Sequence, residues 1–410
     1  MKYLVLLGDG MADFPVAELD GRTPLEVAHT PAMDEVATLG ICALFNPIPE
    51  GLPPGSDIGN LSVFGYDPRA TYTGRAPLEA ARRGILLEED EVAFRCNLVT
   101  LVDGVMQSFT AGHITTEEGT QLVHALNEGL AEFPIRFSPG VSYRHLGIIK
   151  AGRVSIDDLA SVFCTPPHNI SDQKYEPHLP EGPAGDLLCA MIERSADVFR
   201  GHSVNRAREA AGKPPATHAW LWGQGRSPIM EPFHERFGIR GAVVSAVDLV
   251  NGIGICAGLE VLEVPGATGY LDTNYAGKVA AALGALERVD FAYVHVEAPD
   301  ETAHEGRLDL KLQAIEDFDA KIVAPCLEYA KERGGVRILV APDHVTALAT
   351  KTHAAGAVPF ALCGPGIVPD AAVAYSERAA QESGLLFPDG HEMLPCVIQS
   401  ARIGAGAILT

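Results

Sequence analysis

The sequence predicts an α/β protein: a doubly wound, mostly parallel sheet interrupted by a smaller inserted α+β domain. Three observations point there. The chain opens on a short apolar run, Tyr3-Leu4-Val5-Leu6-Leu7, that ends in Gly8-Asp9-Gly10. The same grammar returns late, where Phe291 to Val296 runs up to Asp300 and Val336 to Val340 runs up to Asp343-His344. Between the two halves, from about Gly84 to about Gly238, the texture shifts toward Pro, His and Arg with isolated strand-like pieces.

Each element follows from these patterns. Short runs that are apolar on both faces are the signature of strands buried on both sides of a parallel sheet. Helix-like stretches, Val279 to Leu286 and Ile315 to Lys331, precede the two late strands, so strands alternate with helices as in a doubly wound sheet. Ligands of such sheets gather beyond the strand C-termini, which is where the sequence places its carboxylates. Early in the chain, Pro54-Gly55-Ser56-Asp57 opens a further helix. In the middle, Val99 to Val105 and His145 to Ile149 read as strands of the insertion. Hinges are expected at Gly74-Arg75-Ala76-Pro77 on the way out and Gly238-Ile239-Arg240-Gly241 on the way back. The expected division is a discontinuous metal-binding domain, 1–83 with 239–410, and a substrate-binding domain, 84–238.

Composition narrows the chemistry. The 410 residues carry 31 Lys and Arg against 53 Asp and Glu, a net charge of −22 that repels nucleic acid and anionic lipid. An anionic substrate must therefore be met locally, by placed Arg and Lys or by metal cations. The eight cysteines include no C-x-x-C pair, so they read as buried thiols of a reducing, cytoplasmic compartment. No apolar run approaches the roughly 18 residues of a membrane span. The partner expected is a small molecule, with neither nucleic acid nor membrane involved.

Asp300 and His304 are spaced i, i+4, which on a helical turn lets one face grip a cation. With Asp9, Asp343, His344 and His353 they make three Asp and three His, all predicted to emerge on one sheet edge. Carboxylates mixed with imidazoles suit Mn²⁺, Zn²⁺ or Mg²⁺, and so many ligands suffice for two ions. Ser56, at a helix start, has a plain reading as an N-cap and a functional one as a metal-activated nucleophile for a phosphoryl group. The order Gly55-Ser56-Asp57-Ile58-Gly59 does not match the nucleophile elbow of acyl-transfer hydrolases. Neither a dinucleotide fingerprint nor a P-loop is present, and Met11 removes the second acid that an aspartyl phosphatase of the D-x-D type requires.

In order and spacing, Gly8-Asp9-Gly10-Met11, the Ser56 segment, Ala298-Pro299-Asp300 through His304, Pro342-Asp343-His344 and Thr352-His353 resemble the alkaline phosphatase superfamily. More narrowly, the chain resembles the archaeal-type 2,3-bisphosphoglycerate-independent phosphoglycerate mutases from Met1 nearly to its end. The resemblance implies that Asp300, His304 and His353 hold one divalent ion and that Asp9, Ser56, Asp343 and His344 hold the second. It implies interconversion of 3-phosphoglycerate and 2-phosphoglycerate through phosphoserine at Ser56, with neither bisphosphoglycerate nor nucleotide. In the insertion it implies substrate binding by Arg95, His113, Arg144, His168, Arg208 and Lys213, and outside it by Lys278. Arg suits forked recognition of carboxylate and phosphate. Position 169 departs from the pattern: the resemblance implies Asp, and Asn169 cannot act as a general base. A homoserine kinase-like phosphotransferase on the same scaffold and a phosphomonoesterase are the alternatives, and 3-phosphoglycerate compared with ATP plus homoserine separates them.

Overall fold

The fold is that of a computed structural model, described for residues 1–404. The chain forms two compact units: Met1–Tyr72 together with the chain from Ile229 onward, and Thr73–Pro228. These bounds lie about ten residues before the expected 84 and 238. The Arg75–Arg82 helix explains the first shift: its Ala76 and Ala80 pack in one apolar cluster with Ala93, Leu146 and Ile148 of the second unit. Gly74 is tied to the same unit, since a Cβ there would lie 2.0 Å from the Gln224 carbonyl oxygen. At the return, Phe233 stacks on Phe291 with centroids 4.6 Å apart, so the Phe233–Phe237 helix before Gly238 already belongs to the first unit.

The first unit is built on an eight-stranded sheet in the order Leu386–Phe387, Ile41–Phe45, Val358–Cys363, Val336–Ala341, Lys2–Gly8, Phe291–Val296, Gly241–Val244, Glu260–Val261. Only Val358–Cys363 runs antiparallel to its neighbours. Every residue of Phe291–Val296 and Val336–Ala341 is buried, as a sheet covered on both faces requires. The strand Lys2–Gly8 pairs in parallel with both of these, Gly8 opposite Val296 and Leu7 opposite Ala341. Three strands thus end at one level, and Asp9, Asp300 and Asp343 follow on the same edge. A short hairpin, Val345–Ala347 with Thr352–Ala354, sets Thr346 opposite His353 and returns that histidine to the edge.

The expected helix from Ile315 to Lys331 is not continuous. It is Leu308–Phe318, one π-helical turn at Asp319–Val323, then Ala324–Arg333. Asp319 accepts from the backbone N–H groups of Ala32 (3.2 Å) and Met33 (2.7 Å), serving the start of the Pro31–Thr38 helix. Pro325 has no N–H to continue the ladder.

The second unit is α+β. Its long strand Glu91–Val102 pairs antiparallel with Arg144–Lys150, His218–Gly225 and Val105–Ser108, and Ile135–Ser138 extends the sheet beyond Arg144–Lys150. Helices Thr116–Gly129 and Gly185–Phe199 contribute Leu122, Leu126, Leu188 and Met191 to a core with Phe94, Leu98 and Leu221.

A pH dependence follows from this core. His145 is 1% exposed, and its Nδ1 accepts from the Gly140 N–H at 2.9 Å, so the ring is neutral with its proton on Nε2. Burial, then the charge of Arg83, lowers its pKa from 6.5 to about 4. A histidine depressed in the folded state contributes stability that is complete above its unfolded pKa and lost as pH falls from 6.5 through 4. The shift corresponds to about 3 kcal/mol. Thermal unfolding followed across that window should show a steeper loss for the native chain than for His145→Gln; equal slopes would contradict the assignment.

Candidate metal centre

Local sequence aims each acidic group. Gly10 sits at φ +57, and a Cβ there would lie 2.3 Å from Thr346 Oγ1 and 2.5 Å from Asp300 Oδ1, so only glycine fits against these two side chains. Its N–H donates to Asp343 Oδ1 at 3.2 Å. The Ala298–His304 helix starts just past its strand with Pro299 in the first turn, and the i, i+4 spacing brings Asp300 Oδ2 within 3.2 Å of His304 Nε2.

The six predicted ligands converge. Asp300 Oδ1 is 3.3 Å from His353 Nε2, and the Nε2 atoms of His304 and His353 face one another at 2.9 Å. His304 Nδ1 donates to the Lys351 carbonyl at 2.9 Å, which leaves its Nε2 with a lone pair aimed into the site. Beside this group, His344 Nε2 lies 3.2 Å from Asp9 Oδ1, 3.5 Å from Asp343 Oδ2 and 3.2 Å from Ser56 Oγ. Two sets have ligand atoms within 4.8 Å of one another: Asp300, His344 and His353, and Asp9, Asp343 and His344. His344 is therefore in reach of both groups, whereas the sequence resemblance assigns it to one.

The donor set fits cations. Asp9 Oδ1 is buried and accepts no hydrogen bond, despite its approach to His344. Burial, then the charge of Asp300, raises the Asp9 pKa, but the hydrogen bond from His295 and the charge of His344 beside it prevail and hold it at about 2. Burial first, then the charge of Asp9, pushes Asp343 well above the ordinary carboxylate range. His344 rises to about 10: burial opposes its charge, and Asp343 and Asp9 overcome that. So much carboxylate in a dry pocket calls for positive charge, and bound cations supply it without protons.

The Ser56–Val63 helix is fixed against this centre by close contacts. Its N-cap is Gly55, and Ser56 is the first helical residue, so the plain N-cap reading of Ser56 does not hold and its Oγ makes no cap bond. Asn60 Nδ2 donates to the Ser56 carbonyl (2.9 Å) and to Asp343 Oδ2 (2.7 Å), while Asn60 Oδ1 accepts from Tyr293 OH (2.7 Å). Tyr293 also stacks on Phe64 at 4.1 Å. A Cβ on Gly59 would lie 2.2 Å from the Asp343 carbonyl oxygen, so this glycine lets helix and ligand loop touch. Gly59→Ala should push the helix off Asp343, costing about 1 to 3 kcal/mol and part of the metal content; unchanged unfolding and metal content would refute the packing argument.

Sequence reasoning missed Asn60, Tyr293, Ser245 and His295. The last had a signal, a histidine inside an otherwise apolar buried strand. Lys278, placed among the substrate residues, is fully buried, and its Nζ donates to the His295 carbonyl at 2.8 Å.

Of the second unit's predicted residues, three gather. The Arg95 guanidinium lies 4.2 Å over the Trp222 ring with Nε 3.1 Å from Glu79 Oε1. The His168 ring is 5.3 Å from Trp222, and its pKa is lowered by partial burial, then by Arg95 and Arg75. Arg144 is exposed above Tyr143 at 5.2 Å, and its charge lowers the Arg95 pKa after burial does. This cluster has the chemistry of an anion site. His113, Lys213 and Asn169 are exposed.

Arg208 requires a correction. It is 1% exposed, and its guanidinium donates to Glu118 Oε2 (2.6 Å) and to the carbonyls of Pro214 (2.9 Å), Ala111 (2.6 Å) and Gly112 (3.2 Å). Those bonds occupy the fork that the sequence reading offered to substrate.

The chain is 49% identical over 400 residues to the 2,3-bisphosphoglycerate-independent phosphoglycerate mutase of Methanothrix thermoacetophila, covering 97% of this chain and 100% of the relative. It belongs to the 2,3-bisphosphoglycerate-independent phosphoglycerate mutase family. The mutase of that name from Methanosarcina acetivorans is 50% identical over 386 residues, 94% of this chain and 96% of its own. The sequence profile of the 2,3-bisphosphoglycerate-independent phosphoglycerate mutases matches residues 37–205. Among solved structures, the PH0037 protein from Pyrococcus horikoshii aligns with a TM-score of 0.81 at 29% identity, over 98% of this chain and 99% of that one. The cofactor-independent phosphoglycerate mutase from Thermoplasma acidophilum aligns at 0.68 and 25% identity, over 98% and 100%. This mutase family is one of isomerases, which places the chain among enzymes. No helix among the described residues is long and apolar enough to cross a membrane.

Proposed function

We propose that the chain is a cytoplasmic, metal-dependent phosphomutase that interconverts 3-phosphoglycerate and 2-phosphoglycerate through phosphoserine at Ser56. The observation that carries this reading is Ser56 Oγ, free of any capping role and 3.2 Å from His344 Nε2 beside the converging carboxylates and imidazoles. Asp300, His304 and His353 would hold one divalent ion, Mn²⁺, Zn²⁺ or Mg²⁺, and Asp9, Asp343, His344 and Ser56 the other. Bound there, such ions supply Lewis acidity that lowers the serine hydroxyl pKa and neutralises phosphoryl charge.

Ser56 Oγ attacks phosphorus, an Oγ–P bond forms, the substrate C–O–P linkage breaks, and the proton leaves Ser56 for the departing glycerate oxygen. Backbone N–H groups in the first turn of the Ser56–Val63 helix favour the phosphoryl anion. Glycerate then attacks phosphorus with its other hydroxyl oxygen: a new O–P bond forms, the Oγ–P bond breaks, and the hydroxyl proton returns to Ser56 Oγ. It must be retained meanwhile, and Arg95, Arg144 and His168 offer the donors that a carboxylate requires. Neither bisphosphoglycerate nor nucleotide takes part.

Protein stripped with a chelator, then resupplied with Mn²⁺, should convert 3-phosphoglycerate to 2-phosphoglycerate without added bisphosphoglycerate, and only after resupply. Release of inorganic phosphate alone would make the chain a phosphatase, and phosphorylation of homoserine from ATP would make it a kinase.

A further inference from the structure

We propose that Ser245 and His295 form a positioning pair that holds Asp9 by one oxygen and leaves the other for a divalent ion. The inference rests on the reading of Asp9 as a metal ligand.

His295 lies in the strand Phe291–Val296, pairs with Leu7 two residues before Asp9, and is fully buried. An imidazole placed among apolar strand residues needs partners for both nitrogens. Nε2 is 2.9 Å from Asp9 Oδ2, and Nδ1 is 3.0 Å from Ser245 Oγ. The proton count settles the tautomer. A carboxylate can only accept, so Nε2 carries the proton and donates to Asp9. Ser245 Oγ already accepts from the Val247 N–H at 2.9 Å, which leaves its hydroxyl proton for Nδ1. The relay therefore runs from the Val247 N–H to Ser245, from Ser245 to His295 and from His295 to Asp9.

Both members of the pair are anchored. Asn251 Nδ2 donates to the Ser245 carbonyl at 3.0 Å, and Lys278 Nζ donates to the His295 carbonyl at 2.8 Å. The consequence lies at Asp9: Oδ2 is engaged from behind, and Oδ1 is buried, bond-free and 3.2 Å from His344 Nε2. A carboxylate tied by one oxygen cannot swing, so it offers a single oxygen in a fixed direction. Removing supports of this kind weakens metal binding by about 10- to 100-fold.

The test is a Mn²⁺ competition titration against a fluorescent chelator, with thermal unfolding in excess chelator recorded alongside. The native chain should bind two ions, and His295→Leu should bind one of them about 10- to 100-fold more weakly, the other unchanged. His295→Gln, whose side-chain amide can reach the same carboxylate oxygen, should recover most of the loss, and Ser245→Ala should weaken the same ion to a smaller degree. Native affinity in both His295→Leu and Ser245→Ala overturns the pair. A Gln variant as weak as the Leu variant also overturns it, because packing rather than donation would then be the role of His295. Should His295→Leu fail to fold, Ser245→Ala decides, and unchanged affinity there refutes the relay. A native chain that binds no ion sinks the metal-centre reading itself, an outcome distinct from the others.

Discussion

Ser56→Ala should lose isomerisation by about 10⁴-fold or more and yet unfold at nearly the native temperature. The two halves of this expectation have separate causes. Removing a nucleophile leaves only what binding and electrostatic stabilisation achieve alone, which is why such losses run to many decades. Stability should hardly move because Gly55, not Ser56, stands at the N-cap, and the Ser56 hydroxyl faces His344 Nε2. A serine that served as N-cap would cost about 1 kcal/mol when cut to alanine; this one should cost less than about 0.5. Metal content should fall only slightly, because the variant removes one proposed ligand of one ion and keeps the three Asp and three His proposed to hold both. Near-native turnover in this variant would remove the phosphoserine step.

Arg208→Ala should unfold the second unit far more easily, by about 3 to 5 kcal/mol. The substitution strands a Glu118 carboxylate and three carbonyls that now share one guanidinium. It also removes the bonds that hold a strained turn in place, and relief of that strain offsets only part of the loss. Ala111, Gly112 and His113 stand in succession at φ 46, 61 and 52, left-handed conformations that the two non-glycine residues adopt at about 1 kcal/mol or more each. Arg208 holds two of the carbonyls of that turn. Lysine should not rescue the variant, because a point charge cannot replace a planar fork. For a unit of this size the thermal midpoint should drop by about 10 °C. Native stability combined with raised phosphate release relative to isomerisation would instead return Arg208 to the role of substrate anchor.

Arg208 also shows where the sequence stops being legible. Spacing and residue type sufficed to expect Asp9, Asp300, His304, Asp343, His344 and His353 on one sheet edge, because strand ends in a parallel sheet deliver their next residues there. An arginine has no such address: in sequence, the buried Arg208 and the exposed Arg144 look alike, and only the packing of the Ser203–Ala210 helix against the Ala111–His113 turn tells them apart. The bounds of the inserted unit slipped by ten residues for a similar reason. A helix such as Arg75–Arg82 does not announce which sheet it will cover, and Ala76 and Ala80 happen to face Ala93. Asn60 and Tyr293 were hidden because an Asn on a helix and a Tyr in a buried strand carry no pattern until the distance between them closes to 2.7 Å.

The central claim is that the phosphoryl group passes through Ser56, and rapid acid quenching with phosphopeptide mapping tests it most directly. The Mn²⁺-loaded chain is mixed with 3-phosphoglycerate carrying a radiolabelled phosphoryl group, quenched over a series of times, and digested. The label should appear on the peptide containing Ser56 early in turnover and chase into 2-phosphoglycerate. Formation of 2-phosphoglycerate with label on another residue, or with the Ser56 peptide unlabelled at every time, would contradict the account.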